Sequence, residues 1–160
     1  MRVRLAFGKS GLELELPESH RYVILEARSA RPLEDARGAI EEALDHPVGS
    51  PALTELARGK RSAAISVCDI TRPSPNRIVL PPVLQRLEQA GIPPDKVTIL
   101  IATGLHRPAT EAEVREILGE EIAGRYRWVN HHARQPDEHL FLGRTASGTP
   151  VYIDKRFVSA

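Results

Sequence analysis

Apolar and polar residues follow two different rhythms along this chain, and the change comes near Gly59. Before it, Val3, Leu5 and Phe7 alternate with charged or small neighbours, as do Leu12, Leu14 and Leu16. Period-two alternation predicts two short half-buried strands, with Gly8 to Gly11 as the turn between them. Tyr22 to Leu25 reads as a third strand. From about Pro32 to Leu44 the spacing lengthens, and Leu33, Ala36, Ile40 and Ala43 fall on one face of a helix with Pro32 in its first turn. Pro47 and Gly49 break that helix, and Ser50-Pro51 caps a second short one reaching about Arg58.

After Gly59 strands and helices alternate. Ser62 to Cys68 and Lys96 to Ala102 are short, nearly continuous apolar runs, the pattern of parallel strands covered on both faces. Each is followed by a loop and then by a helix. The first helix runs to about Ala90, with Leu80, Val83, Leu84 and Leu87 on its apolar face; Pro81-Pro82 either opens the helix proper or kinks its first turn. The second opens on Thr110 and Glu113, spaced as a capping box, and ends near Leu118. Arg125 to Asn130 predicts a further strand, and Leu140 to Leu142 and Val151 to Ile153 a pair around the turn Ser147 to Pro150. The alternation predicts an α/β fold, Rossmann-like, with a mostly parallel sheet flanked by helices and a short N-terminal β extension. Residues 1–160 read as a single domain.

Arg72-Pro73 and Arg107-Pro108 stand thirty-five residues apart, and the strands before them share that offset. Two successive β-loop-α units then present similar loops at the carboxyl edge of one sheet, where ligands of open α/β folds bind. The first loop offers the carboxylate of Asp69, the hydroxyl of Thr71 and the guanidinium of Arg72, which suits planar recognition of a carboxylate or phosphate. The amides opening the next helix add to an anion site. The bland alternative is that Asp69 caps the turn and pairs with Arg72 to stiffen a proline-rich loop. The second loop offers His106 beside Thr103-Gly104: an imidazole can take or return a proton near neutral pH, and a glycine allows close backbone approach.

The remaining histidines carry less. His131 and His132 are adjacent, so on a strand they point to opposite faces and cannot both bind one metal. Together with His20, His46 and His139 they read as solvated surface. Cys68, the only cysteine among 160 residues, reads as a buried strand residue, and Tyr126 and Trp128 as core or interface aromatics.

Composition removes several function classes. With 22 basic and 21 acidic residues the net charge is +1, which gives no field for nucleic acid or an anionic membrane. A single cysteine forms no intrachain disulfide and no thiolate zinc site. No signal-peptide pattern opens the chain, and the apolar runs are far too short to span a bilayer, so the expected setting is cytoplasmic.

Four segments at consistent spacing carry a family resemblance: LDHPVGSPALTELARGK (Leu44 to Lys60), CDITRPSPN (Cys68 to Asn76), IATGLHRPATEAEV (Ile101 to Val114) and LGRTASGTPVYIDKRF (Leu142 to Phe157). The sequence resembles the lactate racemase family. That resemblance implies a racemase or epimerase of 2-hydroxy acids that uses a nickel-pincer nucleotide and works by proton-coupled hydride transfer. It implies that Asp69, Ile70, Thr71 and Arg72 contact the cofactor, and that His106 is one of two acid/base residues. It also implies a second half of the enzyme beyond Ala160, holding the other acid/base histidine, the lysine attached to the pincer and the nickel ligand. None of these is assigned to a residue present here. The rival readings are a stand-alone module that binds a nucleotide or small carboxylate without turnover, and an assembly element whose loops are only structural.

Overall fold

The structure, a computed structural model, describes residues 1–26 and 29–160. The chain divides into two compact units, Met1–Pro32 and Leu33–Ala160. In the first, β1 (Arg2–Leu5) and β2 (Leu12–Glu15) pair antiparallel with Leu5 opposite Leu12, as the alternation predicts. Tyr22 to Leu25 is not a strand; no described strand pairs with it, and Leu25 is 91% exposed. β-branched and aromatic composition alone does not make a strand without a ladder to complete its backbone bonds.

The second unit is built on a three-stranded parallel sheet in the order β3 (Ala63–Cys68), β4 (Val97–Ala102), β5 (Arg127–Asn130). α1 (Ala36–Asp45) and α2 (Leu53–Ala57) precede the sheet, α3 (Asn76–Gln89) joins β3 to β4, α4 (Glu111–Leu118) and α5 (Glu120–Arg125) join β4 to β5, and α6 (Lys155–Val158) ends the unit. A hairpin of β6 (His139–Arg144) and β7 (Pro150–Asp154) comes between β5 and α6. The mixed α/β architecture expected from the sequence is the one found.

Alternation along β3 and β4 decides where the core sits. Val67, Val97, Ile99 and Ile101 point to one face and pack with Leu80, Leu84 and Leu87 of α3, with Val114, Ile117 and Leu118 of α4, and with Ile122 of α5. The opposite face carries Ser66, Leu100 and Ala102, which share a cavity of about 290 Å³ with Tyr152 and Ile153 of the hairpin and Phe157 of α6. Cys68 also points away from the helix layer, at the tip of the edge strand β3, and is exposed. The expectation of a buried thiol fails because this face of the sheet is uncovered at its carboxyl end, where Ala102, the partner of Cys68 on the central strand, is exposed too.

Helix boundaries correct the sequence reading in three places. α1 starts at Ala36 rather than near Pro32, because the Asp35 carboxylate accepts the Gly38 amide at 2.8 Å and sets the cap there. Ser50 does not cap α2: its hydroxyl donates to the Pro51 carbonyl, and the helix begins at Leu53. α3 begins at Asn76, five residues before Pro81, and continues through both prolines. Lacking N–H groups, the prolines cannot donate to the carbonyls of Arg77 and Ile78, a loss the packing of Leu80, Pro82 and Leu84 offsets.

The capping box of α4 is complete. Thr110 Oγ1 accepts the Glu113 amide, and Glu113 accepts the Thr110 amide at 2.9 Å. Arg107 adds a fork to the same carboxylate at 2.8 and 2.6 Å, and its bond, with that of the Thr110 amide, brings the Glu113 pKa down to about 2. A carboxylate whose folded pKa lies below its ordinary value of 4.5 stabilises the fold above that value and loses the contribution as pH falls through about 2. Glu113→Gln is therefore expected to lower Tm near neutrality and to converge with the unsubstituted chain towards pH 2. Parallel melting curves across that window check it; a constant offset at every pH would contradict it.

Candidate functional site

The register of the parallel sheet sets the site. Cys68 pairs with Ala102 and Ile101 with Asn130, so Asp69, Thr103 and His131 all step off neighbouring strands at one carboxyl edge. The shared edge expected from the thirty-five-residue offset is present.

Asp69 is the centre of the first loop, 6% exposed. Its Oδ1 accepts the Thr71 hydroxyl at 2.6 Å and the Thr71 amide at 3.3 Å, which closes the turn locally. Its Oδ2 lies 2.6 Å from His106 Nδ1 in the next loop. The hydrogen bonds from Thr71 and then from His106 hold the Asp69 carboxyl below the usual carboxylate range, against the opposing effect of burial. Asp69 thus caps its turn, as the stiffening alternative has it, but through Thr71; no pairing with Arg72 accompanies it.

Arg72 is exposed, and among the described residues no carboxylate pairs with its guanidinium. It lines an open depression of about 500 Å³ together with Asp69, Ile70, Thr71 and the start of α3. Ile70 also packs against the core, so its side chain anchors the loop from below. His106 is not part of that lining; Asp69 is the residue that joins the two. The similar-looking Arg107 has a different task, since its guanidinium is committed to Glu113.

The second loop is pinned at both ends. The Thr103 hydroxyl, in a residue 2% exposed, donates to the His131 carbonyl. At the far end the Asn130 side chain grips Ala109, accepting its amide at 2.9 Å and donating to its carbonyl at 3.0 Å. Between them Gly104 takes φ +57°, a conformation side chains disfavour, and the His106 amide closes the turn on the Thr103 carbonyl at 2.9 Å. His106 is thus held by backbone while its ring stays 52% exposed.

Sequence reasoning missed Asn130 and Thr103 as supports, because their partners are neighbours only once β5 lies beside β4. It also misplaced His131. That ring is 19% exposed, faces Asp154 Oδ2 across 3.2 Å and meets the His139 ring edge-on at 4.9 Å between centroids. Burial pushes the Asp154 carboxyl up, but the Arg156 fork, the His131 bond and the Arg156 amide outweigh it and leave the carboxyl well below its ordinary range. Arg156 bridges onward to Glu138, which in turn accepts His132 at 3.1 Å. The network ties α6 and the hairpin to the carboxyl end of β5. No group of three or more His, Cys, Asp or Glu suited to a metal occurs among the described residues.

On adjacent carboxyl-edge loops of its parallel sheet this α/β domain carries a carboxylate-backed imidazole and an arginine that no carboxylate pairs among the described residues. Comparison with known proteins gives this domain its family. Residues 7–160 match the lactate racemase N-terminal domain, and the chain belongs to that family. The lactate racemase of Thermoanaerobacterium thermosaccharolyticum is 32% identical over 160 residues, covering 99% of this chain and 37% of that protein. The lactate racemase of Lactiplantibacillus plantarum is 39% identical over 116 residues, covering 72% of this chain and 27% of that protein. The solved structure of the Thermoanaerobacterium lactate racemase apoprotein superposes over 100% of this chain and 37% of its own, with a TM-score of 0.79 at 32% identity. A Thermotoga maritima protein shares the fold over 72% of this chain, with a TM-score of 0.52 at 21% identity. The chain therefore spans about a third of the length of the racemases it matches. No helix among the described residues is long and apolar enough to cross a membrane.

Proposed function

We propose that this chain is the N-terminal, proton-transferring domain of a cytoplasmic 2-hydroxyacid racemase or epimerase that works with a nickel-pincer nucleotide. The observation that carries the reading is the 2.6 Å bond between Asp69 and His106 across two adjacent sheet-edge loops, in a chain of the lactate racemase N-terminal family. His106 takes the proton of the substrate C2 hydroxyl and returns it, alternating as base and acid. The cofactor, when bound, supplies the acceptor and donor for the C2 hydride.

The residues present fit an anionic nucleotide or carboxylate. Among the described residues no side chain engages the Arg72 guanidinium, which lines the depression formed by residues 69–78 with Glu116 and Ile117, and the first turn of α3 lines the same depression. Asp69, Ile70, Thr71 and Arg72 form that wall, with Arg72 as the group that holds charge. Nickel is assigned to none of the residues of this chain; its ligand, the covalent lysine and the second acid/base histidine belong in this reading to a further domain.

Arg72→Lys tests the cradle. It keeps the charge but loses the planar fork, so a full-length protein carrying it is expected to retain less nickel and nucleotide after gel filtration. Each molecule that keeps its cofactor should turn over more nearly as before. The 160-residue chain alone, supplied with cofactor, is expected to racemise no lactate. Unchanged cofactor content in Arg72→Lys, or turnover by the isolated chain, contradicts the assignment.

A further inference from the structure

The two oxygens of Asp69 are not equivalent, and the difference dictates where the proton sits on His106. Oδ1 receives two donors from Thr71, the amide N–H at 3.3 Å and the hydroxyl at 2.6 Å. An amide N–H only donates, so Oδ1 is fixed as an acceptor. Oδ2 faces His106 Nδ1 at 2.6 Å. Asp69 is buried and ionised, as its lowered pKa requires, and an ionised carboxylate has no proton to give. The proton in the Asp69–His106 bond therefore belongs to Nδ1. A neutral imidazole protonated at Nδ1 carries its lone pair on Nε2. Nε2 has no hydrogen-bond partner among the described residues, and the ring is half exposed.

We infer that Asp69 is a positioning residue that fixes His106 in its Nδ1–H form, making Nε2 the atom that exchanges the substrate hydroxyl proton. The part concerning substrate rests on the function proposed above; the tautomer does not. Both Asp69 oxygens are occupied by this chain's own donors, which leaves Arg72 as the loop's contribution to an anionic ligand. Family resemblance groups Asp69 with Arg72 as cofactor contacts. The geometry separates them, one serving the imidazole and the other the charge.

Asp69→Asn gives a sharp test because Thr71 breaks the symmetry of the amide. The two Thr71 donors keep an oxygen at the Oδ1 position, so the Asn NH₂ must face His106. Nδ1 then has to accept, and the ring proton moves to Nε2. Long-range ¹⁵N NMR of the 160-residue chain, at a pH where the ring is neutral, reads this directly. The chain is expected to show His106 protonated on Nδ1 and Asp69→Asn to show it on Nε2. Thr71→Val, which keeps the carboxylate, is expected to retain the Nδ1–H signature, so the inference stays testable even if the Asn variant fails to fold.

In a full-length protein Asp69→Asn is expected to lower kcat by about 10²- to 10⁴-fold with KM little changed, since an imidazole in the wrong tautomer cannot act as base. The corresponding change in Ser-His-Asp hydrolases costs about 10⁴. A chain whose ring already carries its proton on Nε2, or a ring indifferent to Asp69→Asn, overturns the inference. A reversed tautomer with unchanged kcat overturns the role of Nε2. A full-length protein that racemises nothing while its NMR behaves as described overturns the functional proposal alone.

Discussion

Replacing His106 by Ala in a full-length protein is expected to lower kcat by about 10²- to 10⁴-fold, the usual contribution of a well-placed general base. The fold should survive, because His106 sits on a loop whose shape is set by the Thr103 and Asn130 anchors and by Gly104, not by its own ring. The ring is half exposed, so truncation leaves no large buried cavity. It does leave Asp69 Oδ2 without its partner, a modest stability cost shared by any truncation at this position. His106→Gln is expected to be as inactive as His106→Ala, since an amide can hydrogen-bond but cannot exchange a proton at neutral pH. Steady-state rates need to be read beside bound nickel and circular dichroism. Near-normal kcat with cofactor bound would make His106 a structural residue.

The largest effect on the fold is expected at Ile99. It lies on the central strand β4 between Ile65 and Trp128, is 0% exposed, and packs in the cluster that α3 and α4 close. Ile99→Ala removes three carbons where the surroundings are held by sheet ladders on both sides. The expected loss is about 2–5 kcal/mol, the range for large-to-small substitutions in well-packed cores. Urea unfolding should show a lower midpoint at an unchanged slope. Val48, 103% exposed, is the contrast: Val48→Ala is expected to change stability by no more than about 0.5 kcal/mol. A loss below about 1 kcal/mol at Ile99 would mean that the core is packed less tightly than this account holds.

What the sequence made legible follows from how local each signal is. β3 and β4 are apolar runs whose neighbours in sequence are turn residues, and the α4 cap is written within four residues, so both were readable without knowing the fold. The shared edge was readable because two loops repeat at the spacing of their strands. The boundary of α1 was less so, since Asp35 competes with Pro32 as the starting signal and only the side-chain bond to Gly38 decides between them. α5 and α6 escaped because six and four residues give too little periodicity to register. His131 was misread for a different reason. Its partner Asp154 is twenty-three residues away on the hairpin, and nothing near His131 announces it. The bond between Asp69 and His106 was the intermediate case. Each residue was picked out from its own loop, and the sheet register brought them to one edge, but which carboxylate oxygen faced which ring nitrogen could come only from coordinates.

The central claim is that this domain moves the hydroxyl proton while hydrogen at C2 travels as a hydride and returns to the same carbon. A full-length protein loaded with nickel-pincer nucleotide, given lactate and a panel of related 2-hydroxy acids deuterated at C2, tests it most directly. Chiral chromatography coupled to mass spectrometry would follow inversion and label together. The account predicts inversion of at least one substrate with deuterium retained at C2, slowed by His106→Ala. No inversion of any substrate with cofactor bound, or inversion with the C2 label lost to solvent, would contradict it.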